Sequence, residues 1–239
     1  MSSPVEQFEI KKIIPLEFNG IDLSFTNSSL CMMITIAVIL LSMGFCLRKR
    51  DVVPTMAQTI PEAVYEFILS IMGETLGKNG IKYFSFVFAL FTFIAGGNIL
   101  GLFPYSFTFT SHIAAVGALS IFCLLLNIFF GIRKRGWHYL RTFFPEGVPL
   151  APLIIPLETI SLLSKPFSLT IRLAVNMSVG HIILKVLGGF IITMQIFGFI
   201  PLMADMGIIM FELFVTLLQA YIYTTLSCVY LNMAISSEH

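Results

Sequence analysis

The sequence predicts an all-α integral membrane protein with five transmembrane helices and one amphipathic helix at the membrane surface. The last two spans are expected to be long, tilted and hairpin-like. Three observations predict this class. Hydrophobic types make up 57% of the 239 residues and charged types only 11%, against about 25% charged in a soluble domain. The apolar residues gather into five runs, each able to supply the roughly 20 residues that a bilayer crossing needs. Lys and Arg cluster on one side of those runs, as cytoplasmic loops do. A soluble enzyme of ordinary composition and a disordered chain are both excluded. A net charge of +1 provides no field for nucleic acid.

Residues 1–29 form an N-terminal segment expected outside the membrane. They carry Glu6, Glu9, Glu17 and Asp22 and show no signal-peptide layout. Residues 30–239 read as a single membrane domain. The first span, 30–47, ends in Arg48-Lys49-Arg50, which anchors it on the cytoplasmic side. Over 54–77, Ile60, Val64, Phe67, Ile68 and Ile71 recur at helical spacing, with Glu62, Glu66 and Glu74 on other faces. That pattern predicts an interfacial helix. Lys78 and Lys82 precede the second span, 83–103. The connection from Pro104 to His112 carries no Lys or Arg, and the third span, 113–132, returns to Arg133-Lys134-Arg135. Trp137 and Tyr139 follow at headgroup level. Pro145, Pro149, Pro152 and Pro156 predict an irregular re-entry, followed by long spans over 154–199 and 202–234 on either side of Pro201. Spans of that length must tilt or bend, with Pro166 and Gly188-Gly189 as the places to bend. The N-terminus is expected outside and the C-terminus in the cytoplasm.

Cys31, Cys46, Cys123 and Cys228 lie in or at the ends of apolar runs, with no CxxC pair and no His at ligand spacing. They read as small hydrophobes, and no cofactor or metal is expected.

The chemistry lies in the last two spans. One carries Glu158, Lys165, Arg172, Asn176, His181 and Lys185; the other carries Asp205, Glu212 and Gln219. An ionisable group at membrane depth costs roughly 2.5–3.5 kcal/mol by insertion scales, so such residues face a cavity or a partner. Glu158, Lys165 and Arg172 are spaced by seven, as are Asp205, Glu212 and Gln219. Seven residues is nearly two turns, so each triplet forms a stripe down one helix face. Asn176 joins the first stripe. With the helices antiparallel and Arg172 level with Gln219, His181 lies about 13 Å outward along its helix and Glu212 about 10 Å outward along the other. Lys185 and Asp205 meet at about 20 Å outward, and Glu158 lies about 21 Å the other way.

These groups suit proton movement. His181 and Glu212 can each take and release a proton when shifted by burial. Asn176 and Gln219 offer donors and acceptors for ordered water. Arg172 keeps its proton and so acts as a barrier and a fixed counter-charge. A lone cation without a fixed partner at its depth implies an acid from another chain. Lys165 and Lys185 can snorkel to the interfaces. Asp205 reads either as a cap near Pro201 or, with Lys185, as a channel-mouth residue.

At these residues the chain resembles the subunit a family of the F-type ATP synthase. The resemblance rests on Ser164-Lys165-Pro166-Phe167-Ser168-Leu169, Arg172-Leu173, Asn176-Met177 and Gly180-His181. It also rests on Leu217-Leu218-Gln219-Ala220-Tyr221 and on Gly97-Asn98, Gly101-Leu102 and Thr110-Ser111-His112. Details such as Pro104-Tyr105-Ser106-Phe107-Thr108 and Gly180-His181 look alphaproteobacterial or mitochondrial. The resemblance implies that Arg172 faces the carboxylates of a rotating c-ring, with Gln219 opposite it. It implies that His181, Glu212 and Asn176 belong to an outer half-channel, and Glu158 to the cytoplasmic side. It further implies assembly with the c-ring, the subunit b peripheral stalk and the other F0 and F1 subunits, in a bacterial inner membrane or, as the alternative, a mitochondrial one. The chain would hold no catalytic site of its own, ATP being made in a soluble head; no Walker A pattern occurs in it.

Three rival classes fit less well. A solute carrier or channel acting alone usually shows inverted repeats or broken helices, which the sequence lacks. A haem-b electron carrier needs axial His pairs, and only His181 lies deep in an apolar run. A scaffold would not tolerate so costly a polar stripe.

Overall fold

The computed structural model describes residues 12–15, 17–18, 21–22, 24–46, 48, 56–103, 108–136 and 151–235. Lys49, Arg50, residues 104–107, Trp137, Tyr139, Pro145, Pro149 and the C-terminal 236–239 lie outside the described residues.

The N-terminal segment, ahead of the first span, forms short strands. Strand β1 (Lys12–Ile14) pairs antiparallel with β4 (Phe25–Thr26), and β2 (Glu17–Phe18) with β3 (Ile21–Asp22). In sequence, Asn19-Gly20 separates β2 from β3, the dipeptide that tight hairpins favour.

Helix α1 (Asn27–Cys46) begins ahead of the expected Leu30. Thr26 Oγ1 accepts the Ser29 N–H at 3.5 Å and caps the first turn. Its surface is apolar and open, with Leu41 73% and Phe45 74% exposed, which fits a helix solvated by lipid. In helix α2 (Met56–Leu76), Gln58 Nε2 donates to Glu62 Oε1 one turn on, at 2.6 Å. Ile68, Ile71, Met72 and Leu76 make its buried face, while Ile60 and Phe67, expected on that face, are exposed. Tyr65 packs on Phe84 at 4.8 Å and Phe67 on Phe91 at 5.7 Å. Gly77, at φ +60°, ends α2, because a left-handed residue stops a helix without a Cβ clash. A 3-10 stretch, Gly77–Tyr83, leads into α3 (Phe84–Gly101).

A second 3-10 turn, Phe109–Ser111, precedes α4 (Ile113–Arg135). Gly136, also at φ +60°, donates its N–H to Ile132 O at 2.7 Å and closes α4. Helix α5 (Ala151–Met194) starts earlier than expected and runs through Pro152, Pro156 and Pro166. The expected irregular re-entry is thus helical from Ala151. Pro152 sits in the first turn, where the missing N–H has no intrahelical acceptor to lose. The chain turns at Gln195–Gly198, so Pro201 falls inside the first turn of α6 (Phe199–Ile235) instead of between spans. Gly198 explains the position, since a Cβ there would overlap the Ile191 carbonyl.

Among the described residues, five stretches are long and apolar enough to cross a membrane: Asn27–Cys46, Gly80–Gly101, Ile113–Lys134, Pro166–Met194 and Phe199–Ile235. Helix α2 is not among them. The chain divides into two compact units. The first comprises Met1–Arg50, Thr92–Val116 and Arg172–Ala220, and the second Asp51–Phe91, Gly117–Ile171 and Tyr221–His239. Within the first, Gly96, Gly97 and Gly101 of α3 meet Ile39, Phe109 and Thr108 respectively, with no room for a Cβ. Small residues of this kind let membrane helices approach closely.

Candidate functional site

In the first unit, α3, α5 and α6 enclose a polar pocket. Asn98, Leu173, Asn176, Met177, Glu212, Val215, Thr216 and Gln219 line a cavity of about 10 Å³, close to the room one water needs. Glu212 is 6% exposed, Gln219 2% and Asn98 0%. Neither carboxylate oxygen of Glu212 has a hydrogen-bond partner among the described residues, and the same holds for both Asn98 amide atoms and for Gln219 Nε2. Buried polar groups are normally satisfied, so this cluster is set apart from ordinary packing. Thr216 turns its hydroxyl to Met177 Sδ at 3.7 Å instead.

Gly180 shapes the pocket. A Cβ built there would overlap the Glu212 carboxylate, so the acid occupies the space a side chain would take. His181 is also buried, but its ring is held by another element. Its Nε2 lies 3.0 Å from Thr108 Oγ1, and the Thr108 hydroxyl donates to Gly101 O at 3.3 Å. The Ser111 hydroxyl bonds Thr108 O at 2.6 Å, and the Ser178 hydroxyl bonds Ser111 O at 3.4 Å, fixing this stretch to α5.

Thr108 and Asn98 were not singled out by the stripe argument. Asn98 could have been found as a lone amide between glycines in an apolar run. Thr108 carries no such signal: Thr108–Ser111 read as a surface loop, yet all four residues are buried.

Arg172 lies on α5 next to Leu173, which lines this pocket, and is not itself part of the lining. It is exposed, and among the described residues it makes no hydrogen bond or ion pair. Val175 and Val179, on the same side of the helix, are 45% and 46% exposed. Asn176 and Lys185 are exposed and Asp205 is half-buried. Glu158 and Lys165 lie in α5, but their side chains are outside the described residues. The structure brings together Asn176, Glu212 and Gln219 around the cavity, and His181 with Thr108.

A family model described as ATP synthase A chain matches residues 29–232. The chain belongs to the ATP synthase A chain family. It is 46% identical over 239 residues to the ATP synthase subunit a of Rhodospirillum rubrum, covering 99% of both chains. It is 43% identical over 244 residues to that of Paramagnetospirillum magneticum, covering 98% of this chain and 99% of the relative. To that of Sinorhizobium fredii it is 43% identical over 243 residues, covering 98% and 97%. These relatives are alphaproteobacterial. Membership of the ATP synthase A chain family makes the chain a membrane component concerned with ATP synthesis and ion transport.

The second unit holds another polar cluster that the sequence reading passed over. The Tyr223 hydroxyl donates to Ser120 Oγ at 3.0 Å, Ser120 Oγ lies 3.0 Å from Thr170 Oγ1, and the Thr170 hydroxyl donates to Pro166 O at 2.8 Å. Asn127, Ser227 and Tyr230 line the adjoining cavity of about 20 Å³. The signal was present: Gln219, Tyr223, Ser227 and Tyr230 continue the α6 stripe at three- and four-residue spacing.

Proposed function

We propose that this chain is the stator half of a proton-driven rotary device, forming two offset half-channels to the carboxylates of a c-ring. Protons enter an outer half-channel by His181, Glu212, Asn176 and Gln219 and protonate a ring carboxylate. The neutral carboxyl group can then turn into lipid. After nearly a full rotation the proton leaves by an inner half-channel near Glu158. Arg172 favours the ionised carboxylate at the crossing and blocks direct leakage. Asp205 and Lys185 stand at the outer mouth. ATP forms in the soluble head, and the subunit b stalk holds this chain still against the ring.

The observation that carries this reading is Arg172, exposed on an apolar face of α5 with no partner among the described residues. A permanent cation at membrane depth is costly alone, and its exposure offers it to an acid on another chain. The neighbouring cavity supplies groups that can hold and pass a proton. A tag on this chain is expected to bring down the c-ring and the b stalk from solubilised membranes. Proton transport by the chain purified alone, with neither partner present, would favour the solitary-carrier reading.

We further propose an inner-membrane topology with the N-terminus outside and Arg133 and Lys134 in the cytoplasm, on the one-sided basic clusters. A cysteine at position 2 should react with an impermeant maleimide in intact cells, and one at 134 only after lysis. The reverse pattern would exchange the inner and outer half-channels.

A further inference from the structure

The second unit contains an opening that the proton path does not use. Lys82, Tyr83, Ser85 and Phe86, where α3 begins, and Phe130, Arg133 and Lys134, where α4 ends, line a cavity of about 640 Å³. That is within the roughly 300–1,000 Å³ of small-molecule sites. One wall is aromatic, with Phe130 5.1 Å from Tyr83 and 5.8 Å from Phe86, both edge-on. The rim carries Lys82, Arg133 and Lys134, all exposed, and among the described residues no Asp or Glu lines the cavity. Three like charges around one opening repel each other, and an anion relieves that repulsion.

Position decides which anion fits. The apolar stretch Gly80–Gly101 begins, and Ile113–Lys134 ends, within this lining. The cavity therefore lies where hydrocarbon gives way to headgroups, and its aromatic wall and cationic rim match the two parts of a lipid at that level. Arg133 offers a planar fork suited to phosphate oxygens, and the lysines add point charges. We propose that this cavity binds the headgroup of an anionic phospholipid, with phosphate on Lys82, Arg133 and Lys134 and the glycerol region against Tyr83, Phe86 and Phe130. Three cations exceed the charge of one phosphodiester, so the two-phosphate headgroup of diphosphatidylglycerol fits better than phosphatidylglycerol. Basic pockets between membrane helices hold such headgroups, whereas free phosphate would use the cations and leave the aromatic wall without a role.

The test uses the whole complex, delipidated in mild detergent. It is incubated with mixed micelles of diphosphatidylglycerol, phosphatidylglycerol or phosphatidylcholine, with and without excess inorganic phosphate, and retained lipid is counted by native mass spectrometry. Diphosphatidylglycerol should be retained and should survive the phosphate. At about 1 kcal/mol per cation, its affinity should fall about fivefold in Lys82→Gln and about thirtyfold in Arg133→Gln with Lys134→Gln. Lys82→Gln alters a different helix from the α4 pair, so it stands alone if the double variant fails to assemble. Phosphatidylglycerol retention that falls in the same variants also supports the site, with a one-phosphate headgroup. Lipid retention unchanged in the variants overturns the proposal. So does displacement by inorganic phosphate, which makes the ligand a free anion. Loss of another subunit with lipid retained overturns it in favour of a protein partner.

Discussion

Replacing Arg172 with Ala is expected to abolish coupled proton transport, lowering ATP-driven acidification of inverted membranes by about a hundredfold or more, the usual scale for removing a preorganised electrostatic partner. Assembly should survive. Arg172 is exposed and makes no hydrogen bond or ion pair among the described residues, so truncation orphans no buried group. Arg172→Lys should fail as well. An ammonium is compact and can lose its proton when desolvated, whereas a guanidinium cannot. The measurement pairs acidification with subunit content by immunoblot. Near wild-type coupled rates in the Lys variant would show that a positive charge suffices and that barring proton release is not the role of Arg172.

The second large effect concerns His181 and Glu212. Either change to Ala should slow proton flow by about a hundredfold, within the range for losing a positioned proton-transfer group. Neither should uncouple transport, because Arg172 remains. If the two residues share protons, they titrate as a pair. The double exchange His181→Glu with Glu212→His should then recover more activity than either half-exchange. Gly180→Ala gives an independent arm. Its Cβ would meet the Glu212 carboxylate, so it should displace the acid and approach the Glu212→Ala defect. Proton pumping across a pH series separates the outcomes. A double exchange no better than its worse half, together with a fully active Gly180→Ala, would leave Glu212 without a part in the path.

The sequence carried the spans well because apolar length and basic flanks are local properties. It placed the turn before α6 poorly, since Pro201 is the louder signal while the steric demand sits at Gly198 against Ile191. The stripe argument found Asn176, Glu212 and Gln219 because a helix repeats its faces regularly. It could not tell which residue of α5 looks at Glu212. Rise per residue gives depth, but adjacent residues point about 100° apart, and here Gly180 faces the acid while His181 turns to Thr108. Thr108 was illegible because it is buried outside any regular helix, where no periodicity records which residues face inward. Ser120 and Tyr223 come from separate helices, so only tertiary packing reveals their bond.

The short Gln195–Gly198 turn has a bearing on how this chain can change length over time. Surface connections usually accept insertions, because lengthening them costs little. This one joins two helices whose side chains must stay in step, Gly180 of one against Glu212 of the other. One added residue taken up by α6 would rotate everything beyond it by about 100° and advance it by about 1.5 Å, carrying the carboxylate away from the glycine that makes room for it. The turn therefore works as a length standard: the chain can drift in composition there, but an insertion or deletion must be matched by a compensating one before residue 212.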